Sequence, residues 1–561
     1  MMRHSTRFAL LLALLTTTTA VPLQAQEPPA RTTATPGRPA LVALFTEWRR
    51  FADAPRVAGV PDYSPAAMAR QAAGLATFRQ RLAALDRTGW SKADGIDAQL
   101  IEAEMNGLDF NLRVLRPWAR DPGFYQTVWG EESDVPAHEG PNAPAIDLFA
   151  FDYPLSAKDA RQLTTMLQTV PALLTQARGT LAASNARDLW LYGARAFREQ
   201  SAVLAKLEAG TLTMRTLEGA KHADLSGAGR SALPAVRAAR AATDAFAAWI
   251  AAEAPKKTGP SGVGKADYDW AMRNVHLLPY GYDEQVALLQ RELDRSRASM
   301  RLEEVRNRAL PPLDPIEDSA AYTKLAAEKA RRFADFLITT GMVPDKPYYR
   351  AAIAAQQVPF TPLAERNFFS HVTARDPLPL YSHDYHWIDL ARLKHEPQAD
   401  PIRQGPLLYN IWEERSEGFA TAMEEIALHT GLYDDLPRGR ELVWIMLANR
   451  AARGLASLKV QANEMTLAEA GQYHARWTPR GFSDAASDLV GFEQLLYLRQ
   501  PGYGTSYVTG KLQYDRLLSD LSDRAERDGK PFDAARALQA MWAPGIIPVA
   551  LIEAEMVEGA R

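Results

Sequence analysis

Residues 379–428 read PLYSHDYHWIDLARLKHEPQADPIRQGPLLYNIWEERSEGFATAMEEIAL. The chain has ten histidines, and three of them, His383, His386 and His395, fall within thirteen residues of this stretch. Asp384, Asp389 and Glu396 are interleaved with them, and Glu413, Glu414, Glu417, Glu424 and Glu425 follow. The stretch predicts two helices, over 383–395 and 412–430, packed face to face. Facing helices that carry imidazoles and carboxylates are the usual raw material of a metal or acid–base site.

Spacing narrows the choice. Residues three or four apart share a helix face, so His383, His386 and Asp389 fall along one stripe. The zinc motif H-E-x-x-H needs histidines at i and i+4, but Trp387 follows His383 at that distance. The segment HEPQAD, from His395, contains no second histidine. The competing reading is a polar seam, in which the histidines are bonded to neighbouring carboxylates and the Glu-rich helix is a solvated face. No G-x-S-x-G occurs, which argues against a serine hydrolase of the strand-turn-helix type. A glycosidase needs two carboxylates across a cleft. The acid supply permits that, and no spacing tests it.

The surroundings set limits. Arg3 and Arg7, the apolar run Phe8–Leu15 and a small-residue exit at Ala20 or Ala25 predict a secretory signal over residues 1–25. That run is too short to span a membrane. With no cysteine in the sequence, there is no lipid-anchor cysteine, no disulfide and no thiolate metal site. The expected location is the periplasm, or else the medium. Residues 26–40 predict a flexible leader and residues 41–561 one large, mainly α domain. The apolar fraction of 47% suffices for a large core, and the net charge of −3 with mixed signs excludes a nucleic-acid partner.

Helices are predicted for most of the chain: from Pro65, 97–115, 156–183, 185–208, 231–254, 282–308, 317–341 and 438–463. A capping box at Thr466 and Glu469 opens another. Two segments break the pattern. Residues 120–147 read as a long loop rich in Pro, Gly and aromatics, a type that is often functional. Residues 256–285 hold glycines that fit neither phosphate-loop spacing, and read as a helix–helix connection.

Several segments then carry a resemblance: PDYSPAAMARQ, GVGKADYDWAM, SEGFATAMEEIALHTGLYDD, PGYGTSYVTGKLQ and FDAARALQAMWAPGIIPVALIE. Through them most of the mature sequence resembles the bacterial domain-of-unknown-function 885 family. The resemblance implies a fold like that of helical zinc metallopeptidases, with a central cleft. In that family a His-Glu pair, a second His and a Glu on the next helix surround a metal. Glu417 matches the glutamate of the family's Glu-Gly-Trp-Ala element, and Tyr507 and Gly510 match its tail. The His-Glu pair falls on His383-Asp384. The second histidine falls at or near Asp389, without its Pro-Gly. The family's Asp-Thr-Gly-x-His is replaced by SLKVQ, Ser457–Gln461. Aspartate in place of glutamate shortens a general base by roughly 1.5 Å, and an Ångström of misplacement can cost on the order of a hundredfold in rate.

The implied function is a periplasmic metal-dependent hydrolase of the peptidase type with altered ligands. His383, Asp389 and Glu417 would hold one divalent ion, zinc by preference, with His386 as substitute ligand if Asp389 points away. Asp384 would be the general base and Tyr507 the oxyanion donor. The alternative is a non-catalytic member that binds peptide-like or other small ligands in the same cleft. Neither involves nucleic acid or membrane insertion once the signal is removed. N-terminal sequencing of the exported protein should give Gln26, or failing that Val21. A protein that retains Met1 would refute export by this signal.

Overall fold

In the computed structural model, which describes residues 37–557, the helix-start signals do much of what their chemistry predicts. Ser91 accepts from the Asp94 N–H, and the Asp94 carboxylate accepts from the Ser91 N–H. This capping box starts α1 at Lys92–Phe110, ahead of the expected Asp97, and the last expected turns form a short π-helix, Asn111–Leu115. Ser156 caps α2 (Ala157–Thr180) in the same position, and α3 (Arg187–Ala209) and α4 (Leu233–Glu253) follow. Leu163, Leu167, Trp190, Phe197, Phe246 and Ile250 of these helices share one core cluster.

The segment expected to be a connection contains a further helix, α5 (Lys265–Asn274), entered through Gly264 at φ 84°. Its ten residues between Gly-rich flanks carry little periodicity. Next come α6 (Tyr282–Arg306), α7 (Leu378–His383), α8 (Tyr385–His395), α9 (Glu413–His429), α10 (Gly439–Gln461), α11 (Asp488–Arg499) and α12 (Tyr503–Arg527). The helix expected over 383–395 is thus broken at Asp384, whose ψ of 12° ends α7 and precedes α8. The Glu417 helix ends as expected before Gly431, at φ 104°.

The centre of the molecule is α10, which is buried on nearly every side. A helix covered all round is a core helix. It packs on α6 and α12, and α12 in turn packs along α9. The α9–α12 contact is unusually close. A Cβ placed on Gly418 would sit 2.4 Å from Gly510 Cα, and one on Gly510 would sit 2.3 Å from the Glu414 carbonyl oxygen. No other residue fits at either position without moving backbone.

Strands are few. The described residues contain a parallel pair, Val128–Trp129 with Ile146–Asp147, and an antiparallel pair, Arg56–Val57 with Val60–Pro61. They also contain a hairpin, Thr213–Thr216 with Gly219–His222, that the sequence pattern did not suggest. Only Met214 and Thr216 alternate inward there, too short a pattern to stand out. The chain is therefore one mainly α domain. Helix already begins at Arg38, so residues 38–40 are not leader; residues 1–36, with the expected signal, lie outside the described residues. Among the described residues no helix is long and apolar enough to cross a membrane.

The α9–α12 crossing makes a direct prediction. Gly418→Ala or Gly510→Ala should each lower stability by at least about 1–3 kcal/mol, the usual range for overpacking. Gly95→Ala, in α1 with nothing within 4 Å of the added carbon, should instead be neutral or stabilising by about 0.4–1 kcal/mol. Urea midpoints for the three variants check this, and an unchanged midpoint for Gly510→Ala would contradict the close approach.

Candidate metal centre

The site is built from three places in the chain. α7 ends on His383, the break at Asp384 swings the backbone, and His386 sits in the first turn of α8. α9 brings Glu417, and α12 brings Tyr503 and Tyr507, four residues apart on one face.

These groups converge on the Glu417 carboxylate. Its Oε2 lies 3.2 Å from His386 Nε2 and 3.6 Å from His383 Nε2. One ligating atom from each of the three residues lies within 4.8 Å of the other two. The imidazole rings stand nearly perpendicular, with centroids 4.9 Å apart. On the other side, Tyr507 donates to Glu417 Oε1 at 3.1 Å, and Tyr503 donates to the same oxygen. The tyrosines hold one carboxylate oxygen and leave the other facing the imidazoles.

His383 also has a carboxylate behind it, in ion-pair range without an aligned hydrogen bond. Its Nδ1 lies 3.0 Å from Glu424 Oε1, and Glu424 is gripped by Arg450, with an Nη1–Oε2 bond of 2.9 Å. Glu424 lies seven residues after Glu417, two turns along the same face of α9, a spacing visible in the sequence. Tyr503 also contacts Glu139, from the long loop 120–147. Burial and the charge of Asp134 push Glu139 up to about 8. Glu139 therefore holds a proton near neutrality, and the Tyr503 hydroxyl stands between it and the Glu417 carboxylate.

The electrostatics follow from burial and neighbours. Burial opposes ionisation of Glu417, yet the two imidazoles hold it well below the usual carboxylate range. Burial likewise opposes the His386 imidazolium, but the charge and hydrogen bond of Glu417 raise it to about 9. Asp384 is pushed up to about 7, first by burial and then by Asp134, with Arg215 acting the other way. A cavity of about 490 Å³ meets this network at Glu139, and its wall also includes Trp129, Glu132, Asp134, Arg215 and Arg499.

Asp389 is placed elsewhere. Its carboxylate is taken by Arg415 on both oxygens, one bond being 3.0 Å, with both side chains buried. The expected trio of His383, Asp389 and Glu417 is therefore replaced in space by His383, His386 and Glu417. His386 and Asp389 share one face of α8 a turn apart, so the turn nearer the break meets Glu417 and the next turn meets Arg415. Ser457 and Gln461 of the SLKVQ segment face away from the site, Gln461 donating to the Tyr497 and Leu498 carbonyls at 2.9 and 3.0 Å. Tyr503, Glu139 and Arg450 did not emerge from the sequence, because each comes from an element distant in the chain.

Comparison with known proteins agrees with this architecture. Residues 52–341 match the family described as bacterial protein of unknown function (DUF885). The matched segment ends before α7. No curated protein matches the chain. A candidate lipoprotein of unknown function from Shewanella oneidensis has a similar structure, with a TM-score of 0.63 at 13% identity, covering 93% of this chain and 98% of its own. A candidate lipoprotein from Colwellia psychrerythraea is similar to the same extent, with a TM-score of 0.65 at 14% identity and the same coverage. At such identities the likeness shows the fold.

Asp389 and Arg415 can be tested as a structural pair. Arg415→Met alone should cost roughly 3–5 kcal/mol by leaving a buried carboxylate uncompensated, whereas Arg415→Met with Asp389→Leu should recover most of it. A denaturation double-mutant cycle measures this, and additive losses would show that the two side chains do not depend on each other.

Proposed function

The chain belongs to the bacterial family of unknown function DUF885, and with the geometry around Glu417 as the second premise we propose that it is a metal-dependent hydrolase of the peptidase type, working outside the cytoplasm. The observation that carries this reading is the convergence of His383, His386 and Glu417, one ligating atom from each lying within 4.8 Å of the other two. Glu424 lies behind His383, 3.0 Å from its Nδ1 without an aligned hydrogen bond, while His383 Nε2 lies 3.6 Å from Glu417. The donor set of two imidazoles and one carboxylate is a recurrent catalytic zinc set, and its atoms are near enough to close on one ion.

His383, His386 and Glu417 would hold the ion. Zinc, when bound, supplies Lewis acidity toward a carbonyl or a water molecule. The remaining steps fall to the chain's own groups. Asp384 takes a proton from the attacking water and returns it to the leaving amine, and its raised pKa of about 7 suits both duties. Tyr507, whose hydroxyl lies 3.1 Å from Glu417 Oε1, is the donor for the developing oxyanion. The cavity of about 490 Å³, with acidic groups and Arg215 on its walls, suits a short peptide-like ligand of mixed charge. The charged start and apolar run at residues 3–15 support export, in line with the lipoprotein character ascribed to the two similar structures.

Asp384, one methylene shorter than the family's glutamate, favours a second reading: a member that binds such ligands without turning them over. One set of measurements separates the two. Zinc is titrated into metal-free protein and into Glu417→Ala, and peptide hydrolysis is followed on the same samples. The expected result is one tight ion here that Glu417→Ala loses, together with hydrolysis that Asp384→Asn lowers by roughly 10²–10⁴-fold without loss of metal. Metal binding without hydrolysis would favour the second reading. Equal weak binding by both proteins would remove the metal, and this chemistry with it.

A further inference from the structure

One helical turn before Glu417, α9 begins with two more carboxylates that the proposed hydrolase does not use. Glu413 and Glu414 are 0% and 2% exposed. None of their four carboxylate oxygens accepts a hydrogen bond from the protein. His276, which follows α5 and is 7% exposed, brings its Nδ1 to 3.1 Å from Glu413 Oε1 and 3.9 Å from Glu414 Oε2. That nitrogen makes no aligned hydrogen bond either. Three buried side chains from two distant elements thus point their polar atoms at one spot, all within 4.8 Å of one another, and none is satisfied.

The usual sources of compensation are engaged elsewhere. Arg415 is paired with Asp389, Arg450 with Glu424, Arg453 with Glu493, and Arg499 with Asp121. The N-terminus of α9 helps, but a helix end is worth at most about 2 kcal/mol to a carboxylate. An isolated buried charge costs several kcal/mol even after relaxation.

The surroundings are shaped around this spot. Leu277, at φ 55°, turns the chain sharply after His276. Gly502, at φ 104°, leaves room for the Glu413 carboxylate, since a Cβ there would lie 2.7 Å from its Oε1. Tyr409 and Asn410, both at positive φ, lead into α9. Such strained positions cluster at functional sites. A pocket of about 240 Å³ opens here; Glu413 and His276 are part of its wall, along with Phe110, Val275, Tyr409 and Asn410.

We propose that Glu413, Glu414 and His276 form a second divalent-cation site, separate from that at Glu417 and open to this pocket. Two carboxylates and an imidazole, with their facing atoms unsatisfied by the protein, are donors that one divalent ion would engage together. An oxygen-rich set with one nitrogen suits manganese or zinc, and the pocket gives the ion an entry path and room for an exchangeable ligand. A rise of about 6 Å along α9 separates Glu413 from Glu417, so the two sites are neighbours on one helix face.

Manganese is the probe. Crystals of metal-free protein soaked in manganese chloride should show an anomalous peak roughly 2.0–2.2 Å from ligating atoms of Glu413, Glu414 and His276. In solution, Mn²⁺ binding followed by electron paramagnetic resonance should give two ions per chain. Glu413→Gln with Glu414→Gln should weaken one of them at least roughly a hundredfold, and His383→Ala with His386→Ala should remove only the other. Circular dichroism checks folding of each variant, and if the glutamine variant does not fold, diffraction from the native protein decides. Absence of the anomalous peak at saturating manganese, or a single ion abolished by the histidine variant, would overturn this site and leave the Glu417 centre standing. A single ion abolished only by the glutamine variant would do the reverse.

Discussion

The closeness of α9 to α12 at Gly418 and Gly510 is the constraint on which the rest of the centre depends. With a missing Cβ on each side, the backbones meet where any side chain would hold them apart. That proximity lets two tyrosine hydroxyls reach the far oxygen of Glu417. A wider gap would need water between the helices, and Glu417 would then be free to rotate away from His383 and His386. The same economy of space recurs on the other side of α12, where Gly504 meets Ser457 and Gly454 of α10. The helix carrying the tyrosines is thus fixed from two directions by small residues, and its register against α9 cannot slide without a backbone clash.

Burying α9 so thoroughly raises an electrostatic problem, and the molecule solves it unevenly. Glu424 meets Arg450, and Asp389 on the facing helix meets Arg415. Arg453 meets Glu493 from α11 and lies over the Tyr507 ring. What is left on α9 is one flank with Glu413, Glu414 and Glu417, met by imidazoles rather than arginines. Guanidinium groups form the structural pairs, with Glu424 shared between Arg450 and His383, and imidazoles are the only basic groups beside Glu413, Glu414 and Glu417 in these contacts. A histidine can give up its proton to become a ligand and an arginine cannot, so this partition marks which carboxylates are available for chemistry.

Much of the scaffold was legible because capping is local. Ser64, Ser156 and Thr466 each accept the backbone N–H three residues on, and the helices start where those residues stand. The short helix α5 and the hairpin at 213–222 were not, because their patterns span too few residues to stand apart from loop. The same limit applied to the centre. His383, His386 and Glu417 were identifiable from residue type and resemblance, but which of His386 and Asp389 meets Glu417 depends on which turn of α8 lies level with it, and that is set by the packing of α8 on α9. Periodicity carried across that break puts His383, His386 and Asp389 on one stripe, whereas the real chain splits the stripe between a carboxylate and an arginine. His276 was hidden for another reason: its partners lie well over a hundred residues away, and nothing near it in sequence shows that its surroundings are acidic.

The long loop 120–147 gains a physical role from this arrangement. Arg499 is anchored on it three times: on Asp121 at 2.6 Å, on the Pro141 carbonyl at 3.1 Å and on Asn142 at 2.8 Å. Arg499 also borders both the pocket of about 240 Å³ at Glu413 and the cavity of about 490 Å³ at Glu139. It is therefore part of the partition between two approaches to the same flank of α9. Glu139 of that loop is tied through Tyr503 to Glu417. A change in how the loop sits must then be felt at Glu417 through the tyrosine and at the partition through the arginine. The loop spans from α3 to the start of α12, and its acids are received there by the Arg499 guanidinium at the end of α11 and the Tyr503 hydroxyl of α12.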